Sequence, residues 1–91
     1  MHLERREVFF SGRVQGVGFR YTTLRIAAGH AVLGFVENLP DGRVRLLAEG
    51  EVPALDAFLA EIHAAMPHNI HDSRAVRSAY VGEFGGFEIR R

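Results

Sequence analysis

The residues best suited to chemistry lie in one early stretch, Gly12-Arg13-Val14-Gln15-Gly16-Val17-Gly18-Phe19-Arg20. Three glycines within seven residues, with no proline, describe a loop whose backbone takes conformations closed to other side chains and which a ligand can approach closely. Successive N–H groups from such a loop, running into a helix N-terminus, form a concavity that attracts anions. Arg20 ends the loop with a planar, five-donor fork suited to phosphate or carboxylate. The chemistry suggested is an oxyanion cradle, most naturally for a phosphoryl group. The pattern is not a Walker A loop, because no Gly-Lys-Ser/Thr follows the glycines. It is not a dinucleotide fingerprint either, because Phe19, Arg20 and Tyr21 stand where a third small residue is needed. Taken alone, it equally describes a glycine-rich strand-to-helix connection with a solvated arginine.

Composition narrows the classes. Ninety-one residues make one domain, 1–91, with 47% hydrophobic and 24% charged residues, which is ordinary globular composition. The 11 basic and 11 acidic residues cancel, which argues against a general nucleic-acid binder. All 11 basic residues are arginine, so Schiff-base and P-loop lysine mechanisms are ruled out. No cysteine is present, which excludes disulfides, thiolate catalysis and cysteine-based metal sites. The charged N-terminus lacks the apolar core of a signal peptide, and no apolar run approaches the ~18 residues needed to span a membrane. The expectation is a soluble cytoplasmic monomer.

The elements that must position the loop follow from periodicity. Residues 7–14 alternate as a strand, with Val8 and Phe10 on one face and Phe9 and Ser11 on the other. A helix is predicted over 20–30, with Leu24, Ala27 and Ala28 at helical spacing and Gly29 near its stop. A second strand covers 32–38. Asn38-Leu39-Pro40-Asp41-Gly42 is a turn, and 43–49 is the returning strand of a hairpin. A second helix covers 53–65, with Pro53 in its first turn and Val52, Leu55, Phe58, Leu59, Ile62 and Met66 in one apolar stripe. Residues 68–72 read as a loop, 74–81 as a fourth strand and 87–90 as a short last one.

This order predicts an α+β fold, the ferredoxin-like βαββαβ plait, with two helices on one face of an antiparallel sheet and a short fifth strand at the C-terminus. In that topology the first two strands run parallel with the third between them, roughly 10 Å apart. Both end at the same edge of the sheet. Arg20 and Asn38 are thereby brought toward one pocket.

With these residues placed, Gly12–Arg20, Gly34-Phe35-Val36-Glu37-Asn38-Leu39-Pro40-Asp41-Gly42 and the closing Gly86-Phe87-Glu88-Ile89-Arg90 resemble the acylphosphatase family over nearly the whole chain. The resemblance implies a small enzyme that hydrolyses carboxyl-phosphate anhydrides to carboxylate and inorganic phosphate, without cofactor or metal. It implies that Arg20 binds phosphate, that Asn38 orients the attacking water, and that the amides of Gln15, Gly16, Val17, Gly18, Phe19 and Arg20 form the cradle. Phe35 stands where the family usually has tryptophan. His30-Ala31-Val32 departs from the family's usual helix end, and Arg45 from a commonly acidic position.

Those roles make physical sense. An acyl phosphate has a stable carboxylate leaving group, so catalysis reduces to positioning and to stabilising charge on the phosphoryl oxygens. Gln15 reads as a scaffold of the loop, and Thr23 as structural, bonding back to the loop main chain. His63, His68, His71 and Asp72 match no strong metal-ligand spacing. No Gly-Xaa-Ser-Xaa-Gly elbow surrounds a serine. Two alternatives stay open: a phosphate-binding or interaction module of the same fold without turnover, and an RNA-binding module, which shares the βαββαβ order but for which Arg43-Val44-Arg45-Leu46-Leu47 offers charge without an aromatic.

Overall fold

The computed structural model describes residues 2–91. Its elements are β1 (Leu3–Gly12), α1 (Phe19–Ala27), β2 (Val32–Asn38), β3 (Val44–Glu51), α2 (Val52–Ala65), β4 (Ile70–Ala79) and β5 (Phe87–Arg90). One sheet forms in the order β4-β1-β3-β2-β5. β1 pairs antiparallel with β3 and β4, and β2 pairs antiparallel with β3. β1 and β2 are therefore parallel and flank β3, as the element order predicts. β5 joins the edge of β2 in parallel, so the four long strands are antiparallel and the complete sheet is mixed.

The pleat sorts side chains by parity. Glu4, Arg6, Val8 and Phe10 of β1 are buried on the helix side, while Arg5, Glu7 and Phe9 face the other way and are only partly covered. Val8, Phe10, Leu46, Leu55, Phe58 and Ile62 make the core between sheet and helices. In α1 the buried face is Phe19, Thr23, Ile26 and Ala27, and Ala28 is exposed. The helix closes earlier than residue 30 because the chain tightens, with Gly29 N donating to Ile26 O and His30 N to Ala27 O. α2 buries Leu55, Phe58 and Ile62 along the expected stripe.

Two strands, expected from residues 7 and 74, begin four residues early, and the strand expected over 43–49 runs on to Glu51. β1 begins at Leu3 because its charged even positions are paired: the Glu4 carboxylate accepts from Arg6 and Arg77, and Arg6 also donates to Asp56 Oδ1 at 2.6 Å. β4 begins at Ile70 because the 70–73 segment continues the ladder on β1 (Ser11 opposite Asp72, Gly12 opposite Ile70), which overrides its loop-like composition. Tyr80 and Val81 lie beyond it. Gly12 is required at this junction, since a Cβ there would stand 2.4 Å from Asn69 O.

Candidate anion-binding site

The loop between β1 and α1 is anchored at both ends and open between them. Val14 and Phe19 are each 1% exposed, and the Phe19 ring packs on Phe10 with centroids 5.1 Å apart. Gly16, Val17 and Gly18 lie between these anchors on the surface. Gly16 (φ 74°) and Gly18 (φ 79°) take left-handed backbone conformations that keep the loop turning outward. The Gln15 side chain fixes the loop laterally, its Nε2 donating to Leu39 O and Arg43 O at 2.8 Å each. Those carbonyls belong to the β2–β3 turn, next to Asn38. The staple thus brings the glycine loop against the end of β2, and gives the Gln15 side chain the scaffold role expected of it.

The donors of this loop are left free. Among the described residues, no backbone N–H from Gln15 to Arg20 donates to a main-chain carbonyl or a side chain. The first helical bond is Thr22 N to Gly18 O at 3.0 Å. Gly18 is the N-cap of α1, which has no side-chain cap and no acidic residue in its first turn. The positive end of the helix dipole is therefore uncompensated and adds to the loop amides. Arg20, in the first turn, is half-buried; its Nη1 donates to Arg90 O at 3.5 Å, and no carboxylate pairs with it among the described residues. Asn38, the last residue of β2, is exposed and stands opposite Val44. The site residues named from the sequence thus sit at one end of the sheet, on the loop, on the first turn of α1 and at the end of β2. What the arrangement offers is a row of unengaged donors, one guanidinium and an amide that can both accept and donate.

Other groups fall outside it. Thr23 does not bond back to the loop: it is fully buried in α1 and its Oγ1 has no hydrogen-bond partner among the described residues. Its place on the core face of the helix points it at the sheet, away from the loop main chain. His63 donates from Nδ1 to Leu59 O at 2.9 Å, and its Nε2 is hydrogen-bonded to the Ser73 hydroxyl at 3.0 Å. A depression of about 330 Å³, lined by Arg5, Phe35, Arg45, Glu83, Phe84 and Arg90 among others, lies on the helix-free face of the sheet. Its arginines are largely neutralised: Arg5 pairs with Glu49 and Glu83, and Arg45 with Glu7 and Glu37. Burial works against the charged form of Arg45, but bonds to Glu7 and Glu37 outweigh it and raise its pKa.

A βαββαβ plait with an exposed glycine loop of unengaged amides where β1 gives way to α1 defines the class. Residues 6–89 match the Acylphosphatase family. The chain is 42% identical over 83 residues to an acylphosphatase of Archaeoglobus fulgidus, covering 91% of this chain and 93% of that one. Its structure is similar to a crystal structure of acylphosphatase from Bacillus subtilis, with a TM-score of 0.89, 34% identity, and coverage of 98% and 99% of the two chains. It is also similar to part of full-length HypF in a phosphate- and nucleotide-bound form (TM-score 0.80, 26% identity), covering 99% of this chain and 12% of HypF. The chain belongs to the acylphosphatase family.

Proposed function

We propose that the acylphosphatase activity to which family membership assigns this chain runs by in-line attack of a water oriented by Asn38 on a phosphoryl group held by the amides of Gln15–Arg20 and by the Arg20 fork. The observation that carries this is the run of unengaged N–H groups leading into an uncapped helix N-terminus beside an arginine with no carboxylate partner. Polar groups of that kind ordinarily find partners within the protein or in water. In this reading their partner is a ligand with three equatorial oxygens. The carboxylate leaves without protonation, so the only proton to move is that of the attacking water, which passes to phosphate or solvent. Asn38 accepts from that water and donates to phosphate, fixing the line of attack without acting as a base.

The substrate class is the small-molecule acyl phosphate, with inorganic phosphate as product, and residues 1–91 act as one domain, a cytoplasmic monomer. Nucleic acid is not a partner in this reading. On the helix-free face Arg5, Arg43, Arg45, Arg74 and Arg90 are matched by Glu7, Glu37, Glu49, Asp72, Glu83 and Glu88, whereas a nucleic-acid surface carries basic excess. A phosphate-binding module without turnover is the second reading, and the similarity to 12% of HypF favours it, since a unit of this shape also occurs inside a much larger protein.

Steady-state hydrolysis of acetyl phosphate by the wild type and by Arg20→Lys separates the two. Lysine keeps the charge but loses the fork. Turnover that collapses in the variant supports the enzyme and its site together. A folded wild type that binds phosphate without turnover leaves the module.

A further inference from the structure

Residues 80–86 leave β4 at one edge of the sheet and reach β5 at the other, so they must pass over its helix-free face. Glu49 of β3 lies beneath them, its side chain fully covered on a face that carries no helix. Its carboxylate accepts from Val81 N at 2.8 Å, Gly82 N at 3.1 Å and Arg5 Nε at 3.0 Å. Arg5 reaches on to Glu83, and the Phe84 ring meets Phe35 edge-on with centroids 5.9 Å apart. This strap leads directly into β5, four residues held to the sheet only by β2. At the end of β5 the Arg90 carbonyl receives Arg20 Nη1, and the Arg90 guanidinium lies 3.8 Å from the Phe35 ring centroid.

A four-residue edge strand has little stability of its own, so its placement draws on Phe87 and Ile89, which pack against the core, and on the strap before it. The contact it makes with Arg20, at 3.5 Å, sits at the long end of hydrogen bonding, where a shift of a few tenths of an ångström makes or breaks it. A carboxylate, which only accepts, suits the three donors that converge at residue 49; an amide would turn a donor toward one of them.

We propose that Glu49 is a positioning residue for the reaction: by fastening the 80–86 strap it sets β5, and β5 sets the guanidinium of Arg20. This rests on the reading of Arg20 as the phosphate-holding fork. The test is a double-mutant cycle on acetyl phosphate hydrolysis with Glu49→Gln and Arg20→Lys. Glu49→Gln is expected to lower kcat/KM by roughly three- to tenfold in the wild-type background and by less than about twofold in Arg20→Lys, because the group it positions is then gone. In folded Glu49→Gln the Arg20 Nε–H signal, identified by its absence from Arg20→Lys, should shift. Equal losses in both backgrounds, or an unmoved signal, overturn the proposal and leave Glu49 a general stabiliser. Arg20→Lys with wild-type activity removes the reading of Arg20 and the proposal with it, an outcome distinct from additivity. Should Glu49→Gln fail to fold, Phe84→Ala releases the strap without leaving a buried charge, and the same cycle applies.

Discussion

Two regions of this molecule hold arginines in opposite ways. On the helix-free face Arg45 lies between two carboxylates, Glu7 at 2.6 Å and Glu37 at 3.0 Å, and its guanidinium stands over the Phe35 ring at 5.3 Å. At the loop end Arg20 is also half-buried, yet among the described residues its guanidinium makes a single hydrogen bond, a long one to a carbonyl. The loop amides beside it are equally unengaged. Exposed arginines without partners, such as Arg25 and Arg74, are unremarkable because water solvates them. A half-buried guanidinium beside a row of free N–H groups has a ligand as its natural complement. The depression on the helix-free face is by contrast self-satisfied, its Arg5 and Arg45 each paired with two carboxylates.

The comparison breaks most sharply by exchanging the treatment of the two arginines. Removing a well-placed transition-state donor typically costs about 3–4 kcal/mol, so Arg20→Ala should lower kcat/KM by roughly 10²–10³. Inorganic phosphate binding should be lost with it. Arg45→Ala should leave kcat/KM within about twofold and lower stability by about 1 kcal/mol, the scale of partly exposed ion pairs. Hydrolysis assays and urea unfolding on both variants read the contrast. A large kinetic loss from Arg45→Ala would erase it.

Asn38→Ala sharpens the picture within the loop end. Its amide orients the water, and the hold on inorganic phosphate is assigned to the loop amides and Arg20, to which the single Asn38 donor adds little. kcat should fall by roughly tenfold or more while the inhibition constant of inorganic phosphate stays within about twofold. Retention of most activity would sink the water-positioning role.

Much of this frame was legible in the sequence, and the reasons differ by element. The stripe Leu55, Phe58, Ile62 and the glycine loop are local patterns, readable from neighbours a few positions apart. The early start of β1 was not, because Glu4 and Arg6 look like surface residues until Arg77 and Asp56 arrive from 73 and 50 positions away. Residues 70–72 read as part of a loop, since a polar run becomes a strand only when β1 supplies its ladder. Gln15 was legible as scaffold, although the two carbonyls it holds were not. Glu49 carried no signal at all: its partners Val81 and Gly82 are 32 and 33 residues on, and they bond through main-chain groups that any residue but proline possesses.

A smaller effect tests the loop backbone itself. A Cβ at Gly18 would meet no other atom within 4 Å, so Gly18→Ala adds no clash, but its φ of 79° strains any other residue. The strain should lower stability by about 1–2 kcal/mol. If the chain relaxes instead, the amide of residue 18 turns, and the Kd for inorganic phosphate should rise by a fewfold while unfolding shifts less. Calorimetric Tm and phosphate titration distinguish the two responses, and a variant unchanged in both would mean the left-handed turn is not required.

The subtlest contrast concerns the satisfied face and acid. Burial pushes the Glu49 carboxyl up, but the N–H of Val81, the Arg5 guanidinium and the N–H of Gly82 together outweigh it and hold the carboxyl below its ordinary value of 4.5. A carboxyl with a depressed folded-state pKa contributes stability that is fully present above its unfolded value and is lost as pH falls through the folded one. Glu4, whose bond to Arg77 leads the causes that lower it, behaves in the same sense, so acid alone does not single out Glu49. The difference between wild type and Glu49→Gln does. Near neutral pH the charged carboxylate distinguishes them. Once protonated, Glu49 is nearly isosteric with the amide, and the gap in urea midpoint should narrow as pH falls below the ordinary carboxyl value of 4.5 while the contribution of Glu4 cancels. A gap constant from neutral pH down to acid would mean that the carboxylate charge is not what fastens the strap.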